Sequence, residues 1–161
     1  MTQEYATLTD YKDRTIDVAA YQGWEEGANK QVTQALVLPG NPGAAIAGIE
    51  KLAQRFLIEL FTEQGTLAYL PERGTTFMTE ARIGAWRTPG DVQSSFGTAS
   101  IQLLNNLKSE ESATDPADER YESSQILSVS IFGADVTMSV KITSAAGTSR
   151  VVLLPLNVTP F

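Results

Sequence analysis

Residues Gln125 to Leu154, QILSVSIFGADVTMSVKITSAAGTSRVVLL, carry the reading that decides the fold. Leu127, Val129 and Ile131 alternate with Ser128 and Ser130. After Gly133-Ala134-Asp135, the residues Val136, Met138, Val140 and Ile142 alternate with Thr137, Ser139, Lys141 and Thr143. Successive side chains of a strand point to opposite faces, so each run predicts a strand with one buried face. Ser144 to Thr148 supplies a second turn, and Val151, Val152, Leu153 and Leu154 form an unbroken apolar run that Pro155 ends. Such a run is either covered on both faces or is an edge awaiting a partner. Together the three runs predict an antiparallel meander.

Towards the N-terminus the apolar spacing changes to that of a helix. Ile46, Ile49, Leu52, Ala53, Phe56, Leu57, Leu60 and Phe61 fall on one helical face, with Glu50, Lys51, Gln54, Arg55, Glu59 and Glu63 opposite. One side is therefore expected to meet a core and the other solvent. Asn41 is a candidate N-cap, Pro42 suits a first turn, and Gly65 can close the helix in the left-handed conformation. A second helix is expected from a cap at Asp91, with Val92, Phe96, Ala99, Leu103, Leu104 and Leu107 inward. Gly97 weakens it by about 1 kcal/mol relative to alanine. Between the two, Thr75 to Trp86 reads as a short helix or an ordered loop, and Ser109 to Asp118, SEESATDPAD, as an acidic loop.

Lys30 to Leu38 alternates around Val32, Leu36 and Val37 and predicts a strand before Pro39 and Gly40. Residues 1–28 form an extension in which Tyr5, Tyr11, Tyr21 and Trp24 leave two readings open, a solvated tail or an arm that docks on a neighbour. Residues 29–161 form the folded domain. Its class is α+β, with an N-terminal strand and two main helices packed on a C-terminal three-stranded antiparallel meander.

A chain of 161 residues can bury a core without a disulfide or metal staple. Cysteine and histidine are both absent. Their absence removes disulfide frameworks, thiol nucleophiles, most zinc sites and the usual general base. With a net charge of −7 and only 12 lysines and arginines, the chain has no basic field to collect phosphates, and nucleic-acid binding is not expected. Nor does any stretch approach the roughly 20 apolar residues that span a bilayer. The start, MTQEYATLTDYKD, lacks the pattern of a signal peptide. Gly40-Asn41-Pro42-Gly43 has no lysine where a phosphate loop needs one, and Asp115, Asp118 and Glu119 lack Ca²⁺-loop spacing. No cofactor or metal is expected.

The segment after the first helix is more distinctive. From Gly65 to Gly74, GTLAYLPERG, Leu67, Tyr69 and Leu70 are expected to pack against Pro71, with Glu72 and Arg73 ahead of a second glycine. A helix-capping rule accounts for Gly65 but not for Tyr69, Pro71, Glu72 and Gly74 together. The helix, this motif over about thirty residues, and the chain length resemble the small baseplate wedge family of contractile phage tails. These are the so-called lysozyme-like proteins that act as tail sheath initiators and have a counterpart in the type VI secretion baseplate.

The resemblance implies a virion protein of the tail baseplate, present in the host cytoplasm during assembly. Its implied partners are the tail sheath protein and baseplate wedge proteins, with tail tube or hub proteins as further candidates, in a ring of six copies around the tail. The family carries a Glu-Pro-Arg motif between its last helix and first long strand, where it binds the helical core of the wedge. Glu119-Arg120 stands at the matching place without the proline. It reads equally as a wedge-binding pair or as a surface charge pair. Sheath recruitment by strand addition would use Val136, Met138 and Val140 or Val151, Val152, Leu153 and Leu154, and a proline at Val152 is expected to remove one ladder donor.

The lysozyme label raises a peptidoglycan-hydrolase alternative, since glycoside hydrolysis needs little more than two placed carboxylates. Glu59, Glu63, Glu72 and Glu80 are the candidates. Glu59 and Glu63 lie on the polar helix face, where solvent is expected to keep both ionised and deny either the raised pKa of a general acid. A non-enzymatic structural role is therefore the expectation, with the type VI baseplate component as a further alternative.

Overall fold

The computed structural model describes residues 16–18 and 45–158. The strand expected over Lys30 to Leu38 and the cap expected at Asn41 lie outside the described residues. In chain order the elements are β1 (Asp17–Val18), β2 (Ala45–Ile46), α1 (Ile49–Phe61), α2 (Phe77–Arg82), α3 (Pro89–Glu110), β3 (Tyr121–Phe132), β4 (Asp135–Ser144) and β5 (Ser149–Asn157). The last three form an antiparallel sheet in the order β3-β4-β5. The expected α+β arrangement, two main helices on a C-terminal meander, is the arrangement observed.

The first and third helices cover one face of this sheet, and α2 packs against both of them. Leu52, Phe56 and Leu60 of α1, Phe77 of α2, and Val92, Leu103 and Leu107 of α3 are fully buried, as are Met138, Val140 and Ile142 of β4. Aromatic rings tie these layers together. Phe56 lies 6.0 Å from Tyr121 and 6.4 Å from Phe96, Phe77 lies 6.1 Å from Phe96 edge-on, and Phe77 is 4.5 Å from Trp86. Such tilted and offset ring pairs add to the stabilisation from area burial alone.

Several boundaries differ from the sequence reading, each for a local reason. The first helix begins at Ile49 behind Gly48, and Ile46 belongs to β2 instead. It ends at Phe61, since Thr62 turns extended while its hydroxyl donates to the Ile58 carbonyl at 2.7 Å. Gly65 does take the left-handed conformation, at φ 86°, but in the following loop and not as the helix stop. α2 settles Thr75 to Trp86 as a short helix. The cap of α3 is Thr88, and Asp91 completes a capping box three residues in, its carboxylate accepting from the Thr88 N–H at 2.7 Å. Those bonds hold the Asp91 carboxyl below its ordinary pKa.

β3 also departs from simple alternation. A register shift between Ile126 and Ser128 marks a bulge. Ile126, Val129 and Ile131 pack against the core, and Leu127 is 47% exposed. The extra residue flips the phase of the strand, which period-two counting cannot detect.

Within the extension, Ile16 to Val18 are described. Asp17 and Val18 pair antiparallel with Ile46 and Ala45, and the Gln54 amide donates to the Asp17 carboxylate and the Val18 carbonyl, each at 3.0 Å. This short piece docks on its own chain.

Candidate assembly interface

One carboxylate that the helical periodicity assigns to solvent is buried. Glu59 is 4% exposed. It accepts from Arg73 Nε at 3.0 Å and Nη2 at 2.5 Å, from the Gly74 N–H at 2.8 Å and from Asn106 at 2.7 Å. Burial alone pushes its pKa up, but the Arg73 hydrogen bonds and charge, the Gly74 N–H and Asn106 outweigh it, and the net shift is downward. Arg73 also pairs with Glu110 at the end of α3, and its own pKa is raised, chiefly by the Glu59 bonds. The expectation that solvent keeps Glu59 ionised is thus corrected. A guanidinium does it.

The same pins close the loop that the sequence singles out. Thr75 N–H donates to the Thr62 carbonyl at 2.8 Å, Gln64 N–H to the Thr75 carbonyl at 3.1 Å, and Gly65 N–H to the Pro71 carbonyl at 3.0 Å. Gly74 has φ 86°, and a Cβ there would stand 2.3 Å from the Thr62 carbonyl oxygen, so the crossing admits only glycine. The expected packing of Tyr69 against Pro71 is not found. Tyr69 is 96% exposed at the tip, with Leu67, Leu70, Pro71 and Glu72 exposed around it. Glu63 pairs with Arg82 at 2.8 Å, and Glu80 accepts a hydrogen bond from Ser95, whose hydroxyl receives the Trp86 indole N–H at 2.9 Å.

Glu119 and Arg120 do not act as a surface pair. Glu119 is 3% exposed, and its carboxylate accepts from the Gly48 N–H at 3.1 Å and from Lys51 at 2.9 Å. It thereby caps α1 from 71 positions away, where the exposed amides and dipole of a helix start favour an anion. The neighbouring Arg120 is half-buried, and its Nε has no hydrogen-bond partner among the described residues.

The strand-addition residues separate by topology. Val136, Met138 and Val140 lie on β4, which pairs with β3 on one side and β5 on the other, so that strand has no free edge. This corrects β4 as an acceptor. β5 is an edge among the described residues. At its ends the Thr148 carbonyl accepts from Ser144 N–H at 2.9 Å and the Val158 N–H donates to Ala134 at 2.7 Å, with unbroken register between. Even-numbered residues therefore turn their backbone groups towards β4. Val151 and Leu153 turn theirs to the open edge, and Pro155, which lacks an N–H, falls in the same outward set. Val152 and Leu154 are buried core residues, so a proline at Val152 would break the β4–β5 ladder and not the edge.

These features define an α+β protein with one apolar edge strand, a closed loop bearing an exposed aromatic tip, and buried polar pins. Among the described residues no group of three or more acidic side chains is arranged to hold a metal ion, and no helix is long and apolar enough to cross a membrane. No protein-family model, curated protein or solved structure matches the chain.

Proposed function

We propose that the chain is a structural baseplate subunit of a contractile tail that starts sheath assembly by accepting a strand from the sheath protein along the open edge of β5. The observation that carries this reading is that edge itself. Its outward backbone groups at Val151 and Leu153 lie among apolar side chains, between the charged Arg150 and Pro155. Strand addition draws affinity from main-chain hydrogen bonds and specificity from alternate side chains. The other edge, β3, carries a bulge and a row of serines, features that discourage pairing. The motif from Gly65 to Gly74 supports the assignment by resemblance, and Arg120, whose Nε has no hydrogen-bond partner among the described residues, is the residue offered to the wedge core.

A hydrolase is less well supported. A general acid needs a carboxyl held protonated near neutral pH; Glu63 is paired with Arg82, Glu72 stands exposed at the loop tip, and Glu59 is shifted the other way.

The test is recruitment of the sheath protein from the same tail by purified chain. Leu153→Pro removes an outward donor and leaves the ladder to β4 intact, so recruitment should fall at least about tenfold with the melting temperature nearly unchanged. Val152→Pro should lower both. Recruitment by Leu153→Pro equal to wild type would refute strand acceptance on β5.

A further inference from the structure

The loop tip presents an aromatic side chain with nothing packed on it. Tyr69 is 96% exposed, flanked by half-exposed Leu67 and Leu70, and the carboxylate of Glu72 beside it has no partner among the described residues. The loop that carries it is braced. Besides the closure at Thr62 and Gln64, Leu70 N–H donates to the Leu67 carbonyl at 3.2 Å and Arg73 N–H to Leu70 at 3.0 Å, while Arg73 is held by Glu59 and Glu110. A tip held in place by its own hydrogen bonds loses little entropy on docking, and tyrosine is among the residues that most often dominate interface energy.

Elsewhere on the chain lies a cleft of about 340 Å³, lined by Trp86, Ile131, Val136 and Val158 with Arg87 at its side. Its lining includes Gly84 and Gly133, and the residues next to these glycines, Ile83 and Phe132, are 72% and 85% exposed. Exposed apolar bulk clustered around an apolar cleft marks an interaction site. The cleft brings a cation, Arg87. The tip brings an anion, Glu72.

We propose that Tyr69 of one copy seats in the Trp86 cleft of a second copy, with Glu72 of the first meeting Arg87 of the second. An aromatic tip, an apolar cleft, and opposite charges beside them are complementary in shape class, polarity and sign, which also favours correct register during encounter. Tyr69 cannot occupy the cleft of its own chain while it stands exposed at the tip. The two surfaces differ, so the contact is head to tail, and repeated contacts give a ring where the rotation closes or a filament where it does not. This interface needs no sheath protein, and it stands or falls separately from strand acceptance on β5.

Sedimentation velocity of the full chain over rising concentration tests it. Wild type should associate beyond a dimer, and Tyr69→Ala should weaken that association at least about tenfold. Arg87→Glu, which places a like charge opposite Glu72, should do the same. Both positions are exposed, and circular dichroism should show unchanged folding. Mixing the two variants is the decisive arm. Tyr69→Ala keeps a working cleft and Arg87→Glu a working tip, so one contact survives, and the mixture should form a capped one-to-one dimer. The Glu72→Arg, Arg87→Glu double variant should associate again. A wild type that stays monomeric to about 1 mM, association indifferent to Tyr69→Ala, or a mixture that remains monomeric would each overturn the proposal. The first of these results would leave the tip to a different protein.

Discussion

Glu59 and Gly74 show how much of this molecule rests on single positions. Arg73 lies fourteen residues beyond Glu59, and its return across the loop turns a nominally exposed carboxylate into a buried pair. Glu59→Gln keeps the shape but removes the charge, leaving Arg73 with only the exposed Glu110, and should cost about 3 kcal/mol in urea unfolding. Two glycines with the same φ of 86° separate backbone strain from steric contact. Gly65→Ala meets open space and should cost about 1 kcal/mol, the penalty of the left-handed conformation alone. Gly74→Ala drives a methyl into the Thr62 carbonyl and should cost about 3 kcal/mol, with Tyr69 fluorescence reporting a displaced loop. Equal losses at the two sites would show that the close approach at Gly74 is not a real constraint.

At the scale of elements, α3 is secured at its start and weakened in its middle. Thr88→Ala removes the hydroxyl that accepts from Asp91 N–H at 3.3 Å and should cost about 1 kcal/mol. Gly97→Ala fills open space on the solvent side of the helix and should stabilise by about 1 kcal/mol, read as a raised melting temperature. The elements themselves were legible in the sequence to different degrees. The faces of α1 and α3 follow from apolar spacing, and every residue expected inward on α3 is buried except Leu104. The bulge at Ile126 was not legible, because one inserted residue leaves both flanking runs looking regular. Nor was the choice between β4 and β5 as an edge, since strand order is set by pairing between distant residues.

The whole molecule couples these parts through charge. The Glu59 carboxyl is depressed in the folded state from its ordinary value of 4.5, so the folded form binds its proton less readily than the unfolded chain. The stability this contributes is fully present above about 4.5 and is lost as pH falls through the folded-state value. Urea midpoints measured from about pH 6 down to about pH 3 should decline, and the Glu59→Gln variant should decline less steeply. An identical acid limb in the two proteins would remove Glu59 from the account.

By itself the sequence determined the α+β class, the three strands, the two main helices, and the absence of thiol and imidazole chemistry, because these depend on composition and on periodicities spanning a few residues. It also singled out the loop from Gly65 to Gly74. Only the tertiary structure decided that Glu59 and Glu119 are buried, that Tyr69 stands in solvent, and that among the described residues the Arg120 Nε has no hydrogen-bond partner and β5 is an edge. Each of those outcomes depends on what lies across from a residue, and partners that meet at separations from fourteen residues for Arg73 and Glu59 to 71 for Gly48 and Glu119 leave no trace in local spacing.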